Sequence, residues 1–232
     1  MTQLLKQMSW QFLIFQRNNL LTMIVGITAF YVLVIYIIKD FANVDKFITL
    51  LIYNDPAIVG FIFIGISIIL EKDQQVLSAL FVAPLNLHLY LASRIITLST
   101  IGYCGALAMV LMANGTSFNL ILFSVGAFST CILFCLMGIF VVSFTTEILH
   151  FLLRAIPLLI VMSVPLLNYF ELTDLGILKF FPVQGGLNLM VNSYRSEQNF
   201  WEVVFGFISI VFWTPLLYWA VYRIFARRMV GI

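Results

Sequence analysis

Long uncharged apolar runs alternate along this chain with short stretches that hold nearly all of its charge. Positions 20–38, 57–70, 95–146, 155–170 and 203–222 contain no Asp, Glu, Lys or Arg. A helix crosses a ~30 Å hydrocarbon layer in about 20 residues at 1.5 Å rise. The run 95–146 is too long for one crossing, and "ANGTS" at 113–117 supplies the Asn-Gly turn chemistry that lets it reverse. The pattern therefore predicts an all-α membrane protein with six transmembrane helices, near 20–38, 52–70, 89–112, 118–144, 152–170 and 202–222.

Three segments depart from plain span-and-turn patterning. Before the first run, "LLKQMSWQFLIFQR" puts Leu4, Leu5, Met8, Phe12 and Phe15 at helical spacing, with Lys6, Gln7 and Gln16 off that stripe. This predicts an interfacial helix over 3–17 on the inner leaflet, or a cytoplasmic extension of the first span. Between spans two and three, "EKDQQVLSALFVAPLNLHLY" (71–90) opens on Glu71, Lys72 and Asp73. Acidic residues suit a helix start. Val76, Leu77, Leu80 and Phe81 then share one arc opposite Gln74, Gln75 and Ser78, as in a short amphipathic helix. Pro84 stops it, and Asn86 is placed to cap the next span. Third, segment 171–201 has two apolar patches, 175–181 and 187–191, on either side of Pro182. Each is too short to cross, so they form either helices that dip and return or an ordinary amphipathic outer loop.

Composition agrees with lipid as the solvent. Of 232 residues 62% are hydrophobic and 9% charged, with a mean hydropathy of +1.08, against roughly half apolar and a quarter charged in soluble domains. Six crossings leave no length for a separate soluble enzyme, so 1–232 reads as a single membrane domain. The first apolar run is long enough to span and is followed by "KDFANVDK" without a small-residue cleavage site, so no removable leader is expected. With both termini cytoplasmic, eight of the 12 Lys and Arg residues face inward, among them Lys72, Arg94, Arg154 and Arg223. Lys39, Lys46, Lys179 and Arg195 are left outside, as the positive-inside bias requires.

Candidate chemistry is sparse. The chain has no G-x-x-x-x-G-K-[ST] phosphate loop, no H-E-x-x-H and no Ser/His/Asp grouping, so no catalytic residue, metal site or cofactor is expected on it. Cys131 and Cys135 share a helix face but two thiols are too few for zinc. Asp55-Pro56 reads either as a helix cap and first-turn pair or as an intramembrane acid on a substrate route, with Pro182 the second tentative pathway residue. Pro157, Pro165 and Pro215 are expected to kink spans five and six.

The stretch 50–96 resembles the second span, cytoplasmic loop and third span of bacterial permeases of the ABC type-2 exporter family. The matching features are a span ending in Glu71, the short segment 77–80, Ala83-Pro84, and Tyr90-Leu91 followed by Arg94; Gln75 stands where many relatives carry Gly. The resemblance implies a multi-pass permease of a bacterial plasma or inner membrane. It would export a small lipophilic or amphipathic substrate, act as a dimer with itself or a similar permease, and have no nucleic-acid partner. It also implies a separate ABC ATPase subunit that holds ATP and Mg, with residues 71–84 as the segment through which that subunit moves the membrane helices. A role for 71–84 as an interfacial helix resting on headgroups is the alternative. Re-entrant helices before the last span are implied too. A secondary transporter is the other reading, disfavoured by few buried charges and no detectable repeat of the two halves.

Overall fold

The computed structural model describes residues 2–41, 44–75, 86–172, 176–195 and 199–230, and all regular structure among them is helical. Helix α1 (Thr2–Arg17) leads through Asn19, at φ 58, into α2 (Leu20–Ile38). Asn tolerates the left-handed region better than most residues, which lets the chain turn sharply between the two. Helices α3 (Asp45–Ile58) and α4 (Ile64–Asp73) are joined by a π-helical turn, Val59–Phe63. Then come α5 (Leu87–Asn114), α6 (Leu120–Val142), α7 (Ile148–Ser163) and the single turn α8 (Leu166–Tyr169). A 3₁₀ turn (Gly176–Phe180), α9 (Gln184–Tyr194) and α10 (Phe200–Phe225), which continues as a π turn (Ala226–Val230), complete the order.

Among the described residues, five helical stretches are long and apolar enough to cross a membrane: Leu20–Ile38, Asp45–Asp73, Leu87–Asn114, Leu120–Val142 and Phe200–Met229. The fifth apolar run behaves differently from the expected single helix over 152–170. It holds a 16-residue helix, α7, that stops at Ser163. Pro165 is the reason, because it has no N–H to continue the hydrogen-bond ladder. Pro157 and Pro215 lie inside α7 and α10 without ending them.

Helix α6 is the centre of the bundle. In its most apolar window 72% of residues are buried, and 67% in the α3–α4 window, against 11% in α2 and 11% in α10. Small residues permit the close approaches. A Cβ on Gly60 would lie 2.6 Å from the Cys131 carbonyl oxygen, and one on Gly138 would strike the Phe61 carbonyl. The π turn thus rests on α6 backbone to backbone, as small residues allow in membrane bundles. Pro56, which cannot donate to the helix ladder, lies three residues upstream of that turn. Outward-facing Met23, Phe30 and Leu33 on α2, and Val211, Phe212 and Trp219 on α10, are more than half exposed, a surface that needs lipid or another chain to cover it.

Helix α9 has 11 residues, about 16 Å of rise, and is wedged between α6 and α10. A Cβ on Gly126 would lie 2.9 Å from the Gly186 carbonyl oxygen and 2.8 Å from Met190 Cγ; one on Gly185 would lie 2.8 Å from the Gly206 carbonyl oxygen. Replacing Gly126 by Val is therefore expected to lower the thermal unfolding midpoint in detergent, with overpacking of this kind costing about 1–3 kcal/mol. The check is a melt followed by size exclusion; an unchanged midpoint would contradict the Gly126–Gly186 contact.

Candidate functional site

Helices α1, α4, α5 and α10 converge on one buried polar cluster. Glu71, next to the end of α4, and Arg94, two turns into α5, are both fully buried and form an ion pair through Glu71 Oε1 and Arg94 Nη2. Tyr90 Oη donates to Glu71 Oε2 at 2.8 Å and accepts from Arg94 Nη1 at 2.8 Å. Gln11 Oε1, from α1, accepts from Arg94 Nε at 3.3 Å and Nη2 at 3.0 Å. The Arg94 guanidinium also lies 4.9 Å from the centre of the Tyr90 ring, whose other neighbour is the buried Phe225 of α10, with centroids 6.3 Å apart. A carboxylate and a guanidinium out of water are each costly to desolvate, and the arrangement is stable because their hydrogen-bonding atoms have close partners.

Both ends of the intervening segment are also tied to neighbouring helices. At the leaving end Gln74 Nε2 donates to Asn18 Oδ1 at 3.2 Å, beside the α1–α2 elbow. Gln75 sits at φ 59, the left-handed position after a helix that glycine favours, so the bend forms with Gln in a place suited to Gly. At the returning end the Asn86 side chain accepts from the His88 N–H at 3.0 Å, capping α5 as expected. The His88 ring stacks on Tyr222 of α10, centroids 3.9 Å apart, and its Nδ1 lies 3.0 Å from Tyr218 Oη. Of the positions expected to touch an ATPase, Glu71 is buried, Lys72 is half-buried, and Asp73, Gln74 and Gln75 are exposed. Val76, Leu77, Ser78, Leu80, Phe81 and Pro84 lie outside the described residues.

Helix α1 divides the expected apolar stripe between two faces. Its buried face is Gln11 and Phe15, with Leu4, Gln7, Met8 and Ile14 half-buried alongside, whereas Leu5 is 58% and Phe12 43% exposed. Gln11 faces inward because Arg94 needs an acceptor, and Leu5 and Phe12 face outward where lipid suits them. Sequence reasoning passed over Gln11 and Asn18 and took Tyr90 and Arg94 only as motif positions. The signal available was an acid and a base at facing ends of consecutive spans.

Asp55 is no helix cap: α3 begins at Asp45, and Asp55 with Pro56 lies inside it, fully buried. Its only hydrogen-bond donor among the described residues is Thr28 Oγ1 of α2, at 3.1 Å from Oδ1. Sixteen residues separate it from Glu71 along one helical stretch, about 24 Å, so the two acids belong to different sites. Pro182 is buried in the turn leading into α9. The 3₁₀ turn before it reaches well along α10, since Trp213 Nε1 donates to the Phe180 carbonyl at 3.1 Å. The far end of α9 is stapled to the start of α10, where Glu202 accepts from Asn192 at 2.9 Å and Arg195 at 3.1 Å. The exposed Lys46–Glu171 pair, 2.9 Å apart, holds the Glu171 carboxyl below the ordinary carboxylate range.

This is a helical architecture suited to a permease, in which the buried charged side chains among the described residues are Asp55, Glu71 and Arg94. The chain belongs to the fluoroquinolones export permease protein family, whose model matches residues 2–231. It is also similar to the fluoroquinolones export permease proteins of two Mycobacterium tuberculosis strains, CDC 1551 / Oshkosh and ATCC 25618 / H37Rv. Each is 29% identical over 138 residues, covering 59% of this chain and 58% of the relative. The chain thus matches less than two thirds of the length of these curated relatives. No solved structure matches it.

Proposed function

We propose that this chain is the membrane subunit of an ATP-driven exporter, moving small amphipathic compounds outward with energy from a separate ATPase subunit. The observation that carries the reading is the Gln11–Glu71–Tyr90–Arg94 cluster, which ties the two ends of segment 74–86 to α1, α4, α5 and, through Phe225, α10. A push on that segment is then delivered to four helices together rather than absorbed in a slack loop. Residues 71–84 are the contact with the ATPase, which holds ATP and Mg. Both termini are cytoplasmic. Helices α7 and α8 make the fifth of six crossings, and the segment from Gly176 to Tyr194 enters the membrane from outside and returns. Two permease chains, identical or similar, enclose the pathway, since α2 and α10 leave wide apolar faces uncovered. Fluoroquinolones are the first compounds to test, on the strength of the family and the relatives' names.

The test is reconstitution of the permease with its ATPase in vesicles and measurement of fluoroquinolone movement by the compound's own fluorescence. Transport that requires ATP supports the reading; transport driven by a proton gradient without ATP overturns it. Orientation has its own check. Single cysteines at Asn43, Gly115 and Ser196 in a cysteine-free background are expected to react with an impermeant thiol reagent on intact cells, while those at Gln75 and Gly231 stay unreacted. Labelling at Gln75 would reverse the topology.

A further inference from the structure

A groove of about 940 Å³ runs along the outside of the bundle between α1, α2 and α5. It extends from Met8 and Leu21 at one end to Tyr36 and Met112 at the other, and none of its lining residues is charged. From Leu21 to Tyr36 it follows α2 for about 22 Å, most of the height of a hydrocarbon layer. Thr28 and Gly105 form its wall near the midpoint, and directly behind them lies Asp55.

The wall there is one residue thick. A Cβ on Gly105 would collide with Asp55 Oδ2 and lie 3.0 Å from Thr28 Oγ1, so the missing side chain is what leaves the carboxylate beside the groove. Thr28 Oγ1 donates its proton to Asp55, which leaves its lone pairs free to accept from a ligand. Among the described residues no Lys, Arg or His pairs with Asp55. An ionisable residue within a membrane helix is expensive and marks a functional contact. A long apolar slot with one convergent polar point is the usual form of a small-molecule site.

We infer that the α1–α2–α5 groove binds organic cations with a bulky apolar body, the positive charge held over Thr28 and Gly105 by Asp55. The groove supplies apolar contact along the body. The uncompensated carboxylate, in a medium of low dielectric, selects the sign of the charge. An acyl chain would fill the same slot but has no use for the acid, and a helix from a second copy would cover it. The site deepens the export reading by naming a substrate class, yet binding needs only the permease chain. Failure of ATP-driven transport therefore leaves this inference standing, and the reverse also holds.

The probe is tetraphenylphosphonium, with tetraphenylborate as its isosteric anion, measured as saturable binding to the full chain in nanodiscs above empty nanodiscs. Saturable binding of the cation and none of the anion is expected. Asp55→Asn keeps an acceptor for Thr28 and the side-chain shape, and is expected to weaken cation binding at least about tenfold, as loss of a charge contact at low dielectric predicts. Equal saturable binding of both ions, as a lipid groove would give, overturns the proposal. So does absence of saturable cation binding, as a groove occupied by a second copy would give, or Asp55→Asn binding as tightly as the unaltered chain. The two-ion comparison on the unaltered chain decides even if the variant cannot be purified.

Discussion

Arg94→Met is expected to be the most damaging single substitution in the chain. It leaves Glu71 buried at the end of α4 with Tyr90 Oη as its hydrogen-bond donor and no positive charge beside it. Removing one partner of a buried ion pair typically costs about 3–5 kcal/mol, because the stranded charge remains desolvated, and that is a large share of the stability of most domains. The expected result is little protein in the membrane and a much lower unfolding midpoint in detergent. The double variant Glu71→Gln with Arg94→Met removes both charges while the amide oxygen still accepts from Tyr90. It is expected to regain most of the stability, since replacing a buried pair whole is often near neutral. Its transport should stay low, because Gln11 loses its hydrogen bonds to Arg94, the polar link between α1 and α5. A stable single variant would contradict the buried pair. A double variant that exports normally would show that the cluster only stabilises and does not transmit.

Leu77→Asp with Leu80→Asp is expected to have the second largest effect, confined to function. If the segment merely rests on headgroups, the change weakens a surface contact and export continues. If it seats in an ATPase groove, each Leu loses about 1.5–3 kcal/mol of burial, and a charge forced into an apolar pocket adds to that. Neither position lies within one of the six predicted spans, which carry the insertion energy, so insertion should be unaffected. The expected outcome is permease at near-normal level in the membrane, little ATPase retained on purification and little export. Full ATPase capture with full export would sink the coupling role of residues 71–84.

Lipid as the solvent, an all-helical fold and most of the long apolar helices follow from the sequence alone, because a membrane crossing is a local property: about 20 apolar residues in a row satisfy it whatever lies beside them. The Leu20–Ile38 helix, the Asn86 cap and the turn at Gly115, with φ 60, are of this kind. The resemblance carried by Glu71, Tyr90 and Arg94 points to a permease subunit of an exporter, as the family match does, for a related reason: residue order survives without coordinates.

What only the tertiary structure decided is which side of each helix faces inward. In lipid an apolar side chain is equally at home against the bundle or the bilayer, so periodicity does not separate the two faces. Leu4, Leu5, Met8, Phe12 and Phe15 therefore read as one apolar stripe of an interfacial helix, whereas packing divides them: Phe15 is buried beside Gln11, and Leu5 and Phe12 are exposed. The same limit hid the role of Asp55. As text it is an Asp before a Pro, and a cap is the natural reading; in space it lies inside α3, fully buried, bonded to Thr28 and directly behind the groove wall at Gly105. Those residues are 27 and 50 positions away from it in the chain, and only packing brings them together.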